Sequence, residues 1–324
     1  MMAKPAYDIL GIGNAIVDVV AAADHNFLSK HDMHPGSMAL INAAQAEALY
    51  AAMPPGTESS GGSAANTCAV AAALGAKVAY LGKVADDQLG RVFHHDITAA
   101  GVHFPSAPAT TGAPTARCLI LVTPDGQRTM NTFLGACVSF GPDDIDTALI
   151  ANAAVTYLEG YLFDPPAAQQ AFTAAARAAR AAGREVALSL SDAFCVNRHR
   201  AAFRALLADV DILFANEAEI TALYEVNSFD EAAEAVRRDV KLAALTRSEA
   251  GSVIVKGGAT IDIPAVPAKL VDSTGAGDAY AAGFLTAYTS GAELTECGHL
   301  GSRAAARVIA HYGARPQGSL VDIK

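Results

Sequence analysis

The apolar positions of this chain fall into two rhythms. Short β-branched runs over 155–159, 185–190, 212–215 and 242–246 are separated by longer stretches, 167–182, 198–208, 217–224 and 229–238, with apolar residues at helical spacing. Strand and helix alternating in this way predict a mostly parallel sheet with helices on both faces. The run 7–13 reads as a first strand and 78–84 as another, with helices over 43–53, 67–74 and 89–100. A hairpin over 252–256 and 260–263 and two last helices, 276–288 and 294–311, complete the large layer. Four strand-like runs do not fit the alternation: 16–23, 37–42, 117–123 and 128–133, the last two joined by the turn sequence Pro124-Asp125-Gly126. Paired into one small sheet, they would make a lid over the large layer, with a binding cleft between the two.

Composition narrows the picture. Of 324 residues, 52% are hydrophobic, much of this alanine, which suits closely packed helices around a sheet buried on both faces. We expect a single unit over 1–324, with a discontinuous lid from about 14–42 and 114–134. The formal net charge of −10 argues against nucleic acid or an anionic membrane as a partner. It leaves phosphate ligands open, because helix N-termini bind anions in acidic proteins too. No apolar run reaches the roughly 20 residues that a bilayer needs, and no basic stretch leads into a signal-type apolar core. The five cysteines, Cys68, Cys118, Cys137, Cys195 and Cys297, are scattered without a CxxC. A reducing, cytoplasmic setting is the expectation.

Chemistry concentrates in two glycine motifs. Asp272-Ser273-Thr274-Gly275-Ala276-Gly277-Asp278 runs straight into a helix. The small residues leave backbone amides bare at a positive helix end, a ready anion site. A carboxylate there repels an anion, so Asp278 needs a reason. General-base work on an attacking hydroxyl supplies one; satisfying the helix end is the plainer alternative. The second motif is Gly61-Gly62-Ser63-Ala64-Ala65-Asn66. Here Gly62 allows close approach, Asn66 could bond a sugar hydroxyl, and Ser63 would otherwise be an N-cap. Gly11-Ile12-Gly13 lacks the third glycine of a dinucleotide fingerprint, and no GxxxxGK[ST] occurs.

Together these motifs resemble the signatures of the ribokinase-like (PfkB) carbohydrate and nucleoside kinases, over Gly61–Gly75 and Asp272–Leu285. Asn216-Glu217-Ala218-Glu219 is similar to the family's NxxE motif. The resemblance runs from Asp8 to about Pro316. It implies a three-layer αβα sandwich with a small β-sheet lid, and ATP and Mg2+ as cofactors. It further implies that Asp278 is the base and that the amides of Gly275, Ala276 and Gly277 form the anion hole. Asn216 and Glu219 would organise magnesium, and Thr246, Arg247 and Gly251 would hold the nucleotide. Many members also bind a monovalent cation such as K+ through carbonyls near Asp272 and Thr274.

The substrate is read from the lid. Asp18 within an apolar strand suits a vicinal diol, which gives two hydrogen bonds to one carboxylate; Asn14 precedes it in the same segment. Met38, Leu40 and Phe163 could cover or stack on a base, or simply pack. Arg128 is the lid cation best placed to reach a phosphate. The segment 13–18 resembles that of the adenosine-phosphorylating branch, although sugar kinases carry an aspartate there too. A nucleoside, with adenosine leading, and a furanose such as ribose or fructose are therefore both carried forward. A non-catalytic sensor on the same fold would show a damaged base or anion hole, and both are intact. Monomer and homodimer remain equally compatible with the sequence.

Overall fold

The computed structural model describes residues 4–324. In chain order the first half comprises β1 (Tyr7–Ile12), β2 (Ile16–Ala22), α1 (His25–Lys30), β3 (Met38–Leu40), α2 (Ala43–Ala52), β4 (Thr57–Ser60), α3 (Ser63–Ala73), β5 (Val78–Leu81), α4 (Gln88–Ala99), β6 (Val102–His103), β7 (Ala116–Val122) and β8 (Arg128–Phe133). The second half continues with α5 (Thr147–Ala151), β9 (Ala153–Glu159), α6 (Pro166–Ala181), β10 (Glu185–Ser189), α7 (Ala193–Leu206), β11 (Ile212–Asn216), α8 (Glu217–Tyr224), α9 (Phe229–Val236), β12 (Leu242–Thr246), β13 (Ser252–Lys256), β14 (Ala259–Ile263), α10 (Ala276–Thr289) and α11 (Leu294–Val308).

The strands form a nine-stranded sheet, β14-β13-β12-β11-β10-β9-β1-β5-β6, and a five-stranded one, β3-β8-β7-β2-β4. The large sheet is parallel except for the β13–β14 hairpin at one edge. Neighbouring residues of its strands feed opposite cores. Ile9, Tyr157 and Phe214 join α10 and α11, whereas Leu10, Leu158 and Leu213 join α6 and α7. This explains the near-continuous apolar runs, since a strand covered on both faces has no solvent side. The alanine content has a matching cause. In α6, Ala168, Ala171, Phe172, Ala175, Ala176 and Ala179 form one buried stripe. A side chain at Gly283 of α10 would meet the Leu300 carbonyl of α11 at 2.5 Å, so the two helices touch nearly backbone to backbone.

Strand β1 lies between β5 on one side and β9 on the other, so the order of strands reverses there. Such a switch point opens a crevice at the carboxyl ends of the strands. The four irregular runs do pair into one small sheet, joined by β4, which the apolar pattern did not reveal. Strand β4 is Thr-Glu-Ser-Ser, a polar edge strand without hydrophobic alternation. Helix α1 and strand β6 were likewise too short to leave a periodic signal. Helix α7 starts at Ala193, ahead of the expected 198, because Asp192 caps it; a kink at His199 breaks its periodicity.

Candidate active site

The register of the small sheet decides what the lid presents. Asp18 pairs with Cys118, Cys118 with Thr132, and Thr132 with Leu40; Val20 pairs with Ile120, Ile120 with Met130, and Met130 with Met38. These rows share one face, because cross-strand partners point the same way. The other face carries Val17, Val19, Leu119 and Leu121, packed with Leu49 of α2 and Phe93 of α4. The face bearing Asp18, Met38 and Leu40 therefore looks toward the large sheet. Arg128 confirms the direction: its guanidinium pairs with the Asp272 carboxylate and donates to Thr274 Oγ1 at 3.2 Å.

On the body side, Gly275 takes φ +77° and starts α10. A Cβ there would strike the Ala314 Cβ at 2.5 Å, so glycine is required by both conformation and space. The Ala276 amide is used within the turn, donating to the Ser273 carbonyl at 3.2 Å. The amides of Gly275 and Gly277 have no acceptor among the described residues, and Gly277 faces open space. The bare donors of the helix end thus include those of the two glycines.

Asp278 stands at their edge, partly buried. It accepts from Ser63 Oγ at 2.6 Å and from Asn66 Nδ2 at 3.0 Å. Loss of hydration lifts its pKa to about 6, although these two donors and the charge of Arg315 favour the ionised form. The residue capping α3 is Gly62, at φ +94°, rather than Ser63. Ser63 lies inside the helix and gives its hydroxyl to Asp278. A side chain at Gly62 would meet the Asn14 carbonyl at 2.2 Å. Asp18 packs its carboxylate against Gly61, where a Cβ would come within 2.5 Å of it. No protein donor reaches Asp18 among the described residues, and burial lifts it to about 6. Asn66 Oδ1 is likewise buried without a partner.

Two participants escaped the sequence reading. Glu159 closes β9 beneath the site and is buried. It accepts from Asn14 Nδ2 at 2.6 Å and from the Ala64 amide at 2.7 Å, so it fixes both Asn14 and the start of α3. Burial raises its pKa to about 7. Its only signal was a carboxylate ending an apolar strand. Arg315, in the C-terminal tail, donates to the Ala65 carbonyl at 2.8 Å and the Ser60 carbonyl at 3.0 Å. Nothing in its local sequence marks it.

Asn216 caps α8 reciprocally with Glu219: Asn216 Oδ1 accepts from the Glu219 amide at 2.9 Å, and Asn216 Nδ2 donates to Glu219 Oε1 at 2.6 Å. Glu219 is buried, which raises its pKa to about 7. Thr246 pairs with Asn216 across β11 and β12, at the same end of the sheet. Three expected ligand contacts have other partners. Phe163 is 2% exposed and stacks on Phe203 at 4.3 Å, so it packs the core and cannot stack on a base. Arg247 lies 4.2 Å over the Phe229 ring, with its Nε on Glu217. At Gly251 the close approach is to the Ile263 carbonyl and the Ala265 amide.

A lidded α/β crevice with bare glycine amides at a helix end and an adjoining carboxylate suits phosphoryl transfer to a small molecule. The profile of the pfkB family carbohydrate kinases matches residues 40–319, and the chain belongs to that family. It is similar to the solved adenosine kinase from Sinorhizobium meliloti, with 54% identity and TM-score 0.90 over 99% of this chain and 98% of that one. It is also similar to a probable sugar kinase from Rhizobium etli CFN 42, with 48% identity and TM-score 0.91 over 98% of each chain. An ATP-dependent ribose-1-phosphate kinase from Halopiger xanaduensis is 30% identical over 80% of this chain and 83% of its own length. The protein is accordingly a nucleoside or sugar kinase that transfers phosphate to a hydroxyl group, with ATP as co-substrate. Among the described residues no helix is long and apolar enough to cross a membrane.

Proposed function

We propose that the protein phosphorylates the 5′-hydroxyl of a nucleoside, adenosine first among them, yielding AMP and ADP. The observation that carries this reading is the lid face. It sets Asp18, a carboxylate with no hydrogen-bond donor among the described residues, in rows with apolar Met38, Leu40, Ile120 and Met130. A carboxylate for a ribose diol beside an apolar surface for a base is what a nucleoside requires. Met38 and Leu40 are 51% and 57% exposed, large apolar side chains left for a ligand to cover.

In the reaction, the acceptor oxygen bonds to the γ-phosphorus of ATP as the bridging P–O bond breaks and ADP leaves. The hydroxyl proton passes to Asp278 late in the transfer, as suits a weak base and a loose transition state. The bare Gly275 and Gly277 amides stabilise the transferring phosphoryl group. Among the described residues no cluster of three His, Cys, Asp or Glu side chains is placed to hold a metal. Asn216 and Glu219 would help to order a magnesium carried mainly by nucleotide phosphates and water. Magnesium would supply neutralisation of phosphate charge.

A furanose sugar is the second reading, favoured by the similarity to the Rhizobium etli protein. ADP release with Mg-ATP, measured over adenosine, guanosine, inosine, cytidine, ribose and fructose, separates the two. Turnover with nucleosides and little with free sugars is expected. Turnover with ribose or fructose alone would move the protein to the sugar branch.

A further inference from the structure

The tail after α11 touches the site with three consecutive residues. The Gly313 amide donates to Asp272 at 2.9 Å, and Ala314 fills the space beside Gly275. Arg315 then turns inward. Its Nε donates to the Ser60 carbonyl at 3.0 Å, one terminal nitrogen to the Ala65 carbonyl at 2.8 Å, and the other to the Gly61 carbonyl at 3.4 Å.

Those carbonyls bracket the joint between lid and body. Ser60 ends lid strand β4, and Ala65 lies in the first turn of α3. Between them the chain turns through Gly61 and Gly62, which have no side chains to brace it. The same first turns of α3 carry Ser63 and Asn66, the two donors on Asp278. A planar guanidinium holds its donors in a fixed fork, so one rigid group ties strand end, glycine turn and helix start together.

We propose that Arg315 is a positioning residue for phosphoryl transfer: it sets the joint between the lid and α3, and thereby the placement of Ser63 and Asn66 against Asp278. The proposal rests on the reading of Asp278 as the base at a kinase site.

Its charge adds a second role. Among the described residues Arg315 makes no ion pair within contact distance, yet its charge favours the ionised forms of both Asp18 and Asp278. The other groups facing Asp278 are the donors Ser63 and Asn66, Glu159, Tyr157 and Tyr161 from β9 and the turn after it, and Glu219 from α8. Facing Asp18 are Arg128 from β8 and Cys118 from β7. Among the described residues Arg315 thus brings positive charge to a largely acidic surround at Asp278.

The test compares Arg315→Lys and Arg315→Gln with wild type in the full chain. ADP release is followed against pH with the acceptor that wild type uses best, alongside thermal melting. Arg315→Lys keeps the charge and loses the fork. Its kcat/KM should fall by about 10–10²-fold, the range for a misplaced reacting group, with the acid limb unmoved. Arg315→Gln should lose a similar factor, and its acid limb should move to higher pH, because the ionised Asp278 loses its cation. Variants that melt earlier but keep wild-type kcat/KM and pH limb would show a merely structural role and overturn the proposal. If Arg315→Gln does not fold, Arg315→Lys decides alone, and wild-type kcat/KM in it would be fatal. An active wild type with indifferent variants removes only the role of Arg315. A wild type inactive on every acceptor removes the kinase reading and this proposal with it.

Discussion

Asp278→Asn isolates the chemistry of the site with little cost to its structure. Ser63 Oγ can still donate to the amide oxygen. The new NH2 would face Asn66 Nδ2, but Asn66 Oδ1 is buried without a partner, so a flip of the Asn66 amide restores the pairing. Acceptor binding should therefore survive, while turnover loses the general-base contribution, about 10²–10⁴-fold or about 3–5 kcal/mol of barrier. The folded state should gain. The Asp278 carboxyl stands at about 6 against an ordinary 3.8. A raised acid binds extra protons in the fold, so stability falls as pH rises from 3.8 to about 6 and stays reduced above it. At 1.36 kcal/mol per unit this approaches roughly 3 kcal/mol at most, less because the carboxylate is partly open to screening solvent. Asp278→Asn should thus melt about 2–4 °C higher at neutral pH. Steady-state ADP release, calorimetric acceptor binding and thermal melting check the three parts. Turnover near wild type would refute the role of Asp278, and lost acceptor binding would refute the argument from the amide flip.

Four further outcomes are expected. Ser63→Ala removes a donor that favours the ionised Asp278, so the acid limb of kcat/KM should move to higher pH; comparison with wild type cancels the titration of ATP itself. Asp18→Ala should raise KM for the ribose-bearing acceptor by about 10²-fold, the loss of two hydrogen bonds to a charged group, and an unchanged acceptor KM would remove Asp18 from the site. Phe163→Ala should cost about 3–5 kcal/mol of stability in chemical denaturation and leave acceptor KM alone; a raised KM would give Phe163 back a ligand role. Arg128→Gln strips Asp272 of its lid partner, which should cost about 3 kcal/mol and increase ADP release without acceptor as the lid loosens; tight coupling in that variant would show that the pair does not hold the lid down.

The glycine motif of the candidate site was legible because its chemistry is local. Bare amides, a turn glycine and a helix-end carboxylate occupy one short stretch, Asp272 to Asp278, so spacing alone points to an anion site. The regular strands and helices were equally legible, as α8 and β12 show, because strand and helix periods are written into adjacent residues. The order of the strands, the addition of polar β4 to the lid, and the parity that puts Asp18 on one face with Met38 and Leu40 were not. Register depends on partners distant in sequence. Phe163 shows the same limit: its aromatic ring suits a base or a core equally until Phe203 is found against it. Glu159 and Arg315 lie outside the motifs and act on carbonyls, amides and side chains roughly a hundred or more residues away. Residue types and their local spacing indicate which groups within the motifs could do the chemistry. Tertiary structure alone decided which of them are desolvated together, and desolvation gives a buried carboxylate or guanidinium its energy and its role.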